Sequence, residues 1–174
     1  MTVVVQRSER QDDGSNQKRA APSSSSAVLR SAARAQARRS SGSPDWLAAL
    51  QRATVEHAVS RSGEPFVVVL YALTTAGRQP TASLERARMY AAEKGWRIAG
   101  AAFDDCGMTE PNERPAWNQA LRLLRGARAQ GIVTVDRSSV STNDTEYEQA
   151  LLWLQDRRSF LEHVPIDWHP SPIT

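Results

Sequence analysis

Three short segments of this 174-residue chain gather the side-chain types that phosphoryl chemistry needs. Ala72-Leu73-Thr74-Thr75-Ala76-Gly77-Arg78 offers two hydroxyls and a guanidinium. Asp104-Asp105-Cys106-Gly107-Met108-Thr109 offers two carboxylates, a thiol and a hydroxyl, and Arg114 follows shortly after. Asp136-Arg137-Ser138-Ser139-Val140 adds a third carboxylate, a guanidinium and two more hydroxyls. A positioned hydroxyl can attack phosphorus. A guanidinium matches two phosphate oxygens at once and keeps its charge at any working pH.

The elements between these segments decide whether they meet. Residues 66–71 form a continuous apolar run, as expected of a strand covered on both faces. Helical spacing over 84–94, stopped by Gly95, leads to a second strand at 97–103. Pro115 opens a helix that reaches about residue 127. A third strand is expected at 132–135, a helix at 144–157 and a fourth strand at 159–164. The tail 165–174, with its three prolines, should continue neither element. This alternation predicts an α/β fold of three layers, with a mostly parallel four-stranded sheet at 66–164 flanked by helices. Each segment singled out above then falls at the carboxyl end of a strand, where such sheets bind ligands.

Ahead of that domain, Ser43-Pro44-Asp45 reads as N-cap, first-turn proline and early acid of an amphipathic helix at 44–59. Residues 1–43 lack any aromatic side chain and contain a run of four serines, so they are expected to be a disordered arm. The arm carries eight basic and three acidic groups, net +5; the other 131 residues carry fourteen and sixteen, net −2. That split assigns any non-specific DNA affinity to the arm and weighs against a broad cationic face on the domain. One cysteine excludes an internal disulfide and fits a cytoplasmic protein. The longest apolar stretch is strand length, so no membrane span is expected.

Taken in order, the motifs resemble those of the serine site-specific recombinases, the resolvase–invertase family, over residues 66–164. Tyr71-Ala72-Leu73-Thr74-Thr75 and then Ser83-Leu84-Glu85 are similar to that family's opening Tyr-Ala-Arg-Val-Ser and later Ser-Leu-Glu. Gly95-Trp96, Phe103, Asp105 and Glu113-Arg114-Pro115 resemble its next segments, and Asp136-Arg137 its Asp-Arg-Leu-x-Arg motif. The resemblance implies a hydroxyl that attacks a DNA phosphodiester, leaving the broken strand on the protein as a phosphoserine, while arginines neutralise the phosphate. It places Thr75 at the nucleophile position, and Asp105, Arg114, Asp136 and Arg137 at matched positions. It also puts Leu73 and Val140 where the family has arginines. A threonine nucleophile with two guanidiniums missing implies a degenerate recombinase-like domain, a pseudoenzyme that uses no cofactor and is either a working regulator or a remnant of a mobile element. The partners expected are DNA, through the arm, or an intact recombinase-like protein.

A reading from another class rests on the carboxylates alone. Asp104, Asp105 and Asp136 at adjacent strand ends are candidates for Mg²⁺ in a metal-dependent phosphoryl-transfer or receiver-like module. Set against it is the expectation that Asp105 and Asp136 pair with Arg114 and Arg137. Cys106 has no histidine near it in sequence and reads as an inert loop thiol. His57, His163 and His169 lack metal-ligand spacing and are expected on the surface, while Trp117 and Trp153 fall at helix core positions.

Overall fold

The computed structural model describes residues 43–59 and 65–171, all within one compact unit, Ser40–Thr174. The arm expected over 1–43 lies, Ser43 apart, outside the described residues. The first helix, α1, spans Pro44–Val59. Ser43 begins it: its carbonyl accepts from Leu47 N at 2.9 Å and its hydroxyl from Trp46 N at 3.2 Å. The domain then runs β1 (Val67–Leu73), α2 (Thr81–Glu93), β2 (Arg97–Asp104), α3 (Pro115–Arg125), β3 (Gly131–Thr134), α4 (Asp144–Asp156) and β4 (Phe160–His163). One-turn 3-10 helices at Pro111–Glu113 and Arg137–Ser139 precede α3 and follow β3.

All four strands are parallel, in the order β2-β1-β3-β4. The two outward steps from β1 run in opposite directions, so a crevice opens at the carboxyl ends of β1 and β3. Period-two alternation sorts the strand residues between two cores. Val69, Tyr71, Ile132 and Leu161 face α3 and α4, where they meet Trp117, Leu124, Leu151 and Leu154. Val68, Leu70, Val133 and Phe160 face α2, against Ala87, Tyr90 and Ala91. Helix α2 starts three residues before its expected position, with Leu84 N bonded to Pro80 O at 2.9 Å.

The two sheet edges differ. Helix α1 covers β4: Gln51 Nε2 donates to Leu161 O at 2.7 Å, and Trp46 Nε1 reaches Glu148 Oε1 on α4 at 2.8 Å. The outer carbonyl row of β4 is thereby partly satisfied, which protects an otherwise adhesive edge. Residues beyond β4 fold back over α2. Arg86 Nη2 donates to the carbonyls of Pro165, Ile166 and Trp168, and the Trp168 ring meets Tyr90 edge-on at 5.4 Å.

Two contacts tie β3 to β4. Gly131 lies under the Phe160 ring, and a Cβ there would stand 2.4–2.6 Å from three ring carbons. The second contact is polar. Thr134 Oγ1 gives its hydrogen to Asp136 O at 2.7 Å, so it can only accept from His163 Nδ1 at 3.1 Å. With its pKa lowered to about 4 the ring is neutral near pH 7, so His163 Nε2 accepts from the Tyr147 hydroxyl at 2.7 Å. His163 is thus a neutral, half-buried strut between β3, β4 and α4, a correction to its expected surface position. Burial pushes its pKa down to about 4, with Arg137 acting in the same direction and Asp136 against it.

Gly131→Ala should destabilise the domain by about 1–3 kcal/mol in denaturant unfolding, because the added methyl overlaps an aromatic ring. The double variant with Phe160→Leu should lose less than the two single losses combined. The His163 network gives a pH test. An unfolded imidazole titrates near 6.5, so between that value and 4 the unfolded chain takes up a proton that the folded one refuses. Stability therefore falls as pH drops through this window. Moving from pH 7 to 4.5 should cost wild type about 2 kcal/mol more than His163→Gln. Equal losses would show that the imidazole is not held neutral.

Candidate functional site

The carboxyl edge of the sheet does collect the segments that the sequence singles out. Thr74 N bonds Asp104 O at 2.8 Å, and Gly107 N bonds Thr74 O at 3.0 Å, so the loops after β1 and β2 lie side by side. Thr75 is exposed at the tip of the first loop, in a turn closed by Arg78 N on Thr75 O at 2.9 Å. Leu73 packs against the core below it. Val140 is fully buried.

Arg114 dominates the interior of this edge. Only 1% of it is exposed, and its guanidinium is committed to three carbonyls. Nε and Nη2 donate to Thr109 O, and Nη1 donates to Ser139 O at 3.1 Å and Val140 O at 2.8 Å. The side chain thus staples the loop after β2 to the loop after β3. Desolvating a guanidinium costs several kcal/mol, which four short donor contacts offset. Its position follows from Pro115: the residue before proline is held extended, at φ −87° and ψ 116°, and turns inward as α3 begins.

Asp104 performs the complementary task. It is buried, and its carboxylate accepts from Ala116 N and Trp117 N, each at 2.9 Å, capping α3 from a neighbouring strand. Tyr71 donates its hydroxyl to the same carboxylate at 2.9 Å. Burial and then the Asp104 charge hold the Tyr71 phenol well above its usual range. Both oxygens of Asp104 are therefore engaged before any cation arrives.

The ion pairs expected among Asp105, Asp136, Arg114 and Arg137 do not form. Asp105 is exposed. Asp136 caps the short helix after β3, accepting from Ser139 N at 2.9 Å, Ser138 Oγ at 2.7 Å and Ser139 Oγ at 3.1 Å. Partial desolvation works to raise its pKa, but these hydrogen bonds prevail and hold it below the usual carboxylate range. Arg137 lies over the Tyr147 ring at 4.6 Å and pairs with Asp144 at the start of α4. Charge matching along the chain misassigned these partners because Arg114 turns into the core and Arg137 turns toward the next helix. Among the described residues, no group of three or more His, Cys, Asp or Glu side chains is placed to share a cation.

Cys106 is exposed and lies 3.0 Å from Thr109 Oγ1. Trp117 is buried as expected, whereas Trp153 is half-buried, with Arg125 and Arg157 over its ring. His163, at the end of β4, is the residue of this region that sequence reasoning missed. Its one signal was a terminal strand position sixteen residues beyond a core-facing tyrosine.

No family model matches this chain, and no curated protein sequence does. Solved structures do. The C-terminal catalytic domain of ISC1926 TnpA, an IS607-like serine recombinase, matches 57% of this chain and 70% of its own, with TM-score 0.50 and 17% identity. The N-terminal catalytic domain of TP901-1 integrase matches 56% of this chain and 75% of its own, with TM-score 0.48 and 14% identity. At such identities the likeness speaks for architecture alone. The four-stranded parallel sheet with its flanking helices is the fold of serine recombinase catalytic domains.

Proposed function

We propose that this chain is a recombinase-like protein that does not cut DNA and acts by binding, to DNA or to an intact recombinase as a non-catalytic partner. The observation that carries this reading is the setting of Thr75. Its hydroxyl sits on a branched carbon at an exposed turn, with Leu73 and Val140 where the resemblance calls for guanidiniums. The matched arginines do not make good the loss: Arg114 is buried on carbonyls and Arg137 is bound to Asp144. Removing one preorganised donor from such a site typically costs about 3–4 kcal/mol of transition-state stabilisation, and two positions are affected here.

The full chain, incubated with supercoiled DNA and then denatured, should yield no covalent protein–DNA adduct. Thr75→Ser alone should yield none either, since Leu73 and Val140 remain. An alkali-sensitive link that formed with wild type and vanished in Thr75→Ala would overturn the reading.

A Mg²⁺-dependent module built on Asp104, Asp105 and Asp136 has less support, because the Asp104 carboxylate already caps α3 and the Asp136 carboxylate caps a turn. Millimolar Mg²⁺ should leave the melting temperature unchanged. A bound ligand at a hundred times its Kd adds roughly 2.7 kcal/mol of stability. A clear rise with Mg²⁺ that Asp105→Asn abolished would favour the metal reading instead.

A further inference from the structure

In a parallel α/β unit the helices run opposite to the strands, so α3 and α4 both end at the amino edge of the sheet, away from Thr75. Five exposed arginines stand there: Arg122 and Arg125 in the last turn of α3, Arg128 just beyond it, and Arg157 and Arg158 just past α4. From residue 114 to residue 135 the chain has no carboxylate, and Asp156 is the one acid within 150–161. None of the five makes a salt bridge among the described residues, where the pairs are Arg88–Glu85 and Arg137–Asp144. The opposite edge is more acidic, with Asp105, Glu113, Asp136 and Asp144 exposed beside Arg78, while Glu110 and Glu146 line the groove between α3 and α4 that also holds Arg125 and Trp153.

One or two basic groups per helix end would complement the helix dipoles, whose influence fades within the last turn. That accounts for Arg122, Arg125 and Arg157, the last of which caps α4, but not for Arg128 and Arg158 beyond the helices. Trp153 supplies the second observation. The Arg157 guanidinium lies 4.0 Å from its ring centroid and the Arg125 guanidinium 5.3 Å, so one indole gathers cations from two helices. Arg157 Nη1 is also tethered to Trp153 O at 3.3 Å. A guanidinium held against an aromatic ring has already lost side-chain freedom, which lowers the entropic cost of engaging an anion.

We propose that this amino-edge patch binds the phosphodiester backbone of nucleic acid, independently of sequence and of the Thr75 edge. Fork-shaped guanidinium donors suit phosphates, each of which accepts two N–H groups. The indole serves to hold the guanidiniums, since they already occupy its surroundings, so no base readout is involved. The polarity of the domain sets the orientation: the acidic carboxyl edge faces away from the polyanion.

The test is equilibrium binding of a short mixed-sequence DNA duplex, which needs no cleavage and so stands or falls separately from the reading of Thr75. It is run on the full chain and on a variant whose eight basic residues within 1–43 are glutamine. The glutamine-arm variant should retain salt-sensitive binding. Adding Arg125→Gln and Arg157→Gln should weaken it at least about tenfold and reduce the slope of log affinity against log salt by roughly 1.8, two phosphate contacts' worth. Both positions are exposed, and far-ultraviolet circular dichroism checks that the fold persists. No binding by the glutamine-arm variant, an unchanged slope after the two substitutions, or equal competition by polyglutamate would each overturn the proposal.

Discussion

The buried guanidinium of Arg114 is the constraint around which the carboxyl edge is organised. A cation at 1% exposure without a carboxylate partner within salt-bridge distance has to be solvated by the backbone, and three carbonyls from two loops meet that need. The loops after β2 and β3 consequently cannot move apart without exposing Arg114 or stranding it. Asp104 reinforces the arrangement from the other side by fixing the first turn of α3, the helix on which Arg114 borders. Carboxylate and guanidinium thus act through the backbone rather than on each other, with Tyr71 lying within electrostatic reach of both.

That economy explains why the edge looks catalytic in sequence and structural in space. Hydroxyl, carboxylate and guanidinium are present at the strand ends, in the order that the recombinase resemblance requires. Most of their polar atoms are nonetheless turned to caps, staples and turns: Asp136 to a one-turn helix, Arg114 to carbonyls, and Arg137 Nη2 to α4, though Arg137 Nε is buried without a hydrogen-bond partner. What remains open to solvent is mainly acidic. Positive charge is concentrated at the far edge, where Arg125 of α3 and Arg157 at the end of α4 both approach the Trp153 ring.

The fold was legible because its signals are local. A continuous apolar run such as 66–71 cannot be a half-exposed strand, and Gly95 and Pro115 mark where helices stop and start. Even so, the sequence pattern placed the start of α2 late, since Thr81, Ala82 and Ser83 carry no apolar periodicity. The partners of the charged residues were not legible. Opposite charges near each other in sequence suggested pairs, but side-chain direction at a helix entrance is set by backbone angles that composition does not report. His163 escaped for a related reason: its partners, Thr134 and Tyr147, lie 29 and 16 residues away, the first brought to it by the β3–β4 register and the second by α4. The basic patch was hidden by a net charge that averaged two opposite edges.

Gly131 beneath Phe160 carries a consequence for how this sequence can change over time. The ring at 160 can shrink to an aliphatic side chain while 131 is still glycine, at the cost of a void. Growth at 131 ahead of any change at 160 is penalised, because its methyl would overlap three ring carbons unless they shift. Substitutions at the pair are therefore biased in order: change at 160 before 131 avoids the overlap, and a lineage that has filled 131 regains the aromatic ring only at a cost in stability. Two adjacent strands of the central sheet are in this sense historically coupled, and the coupling runs one way.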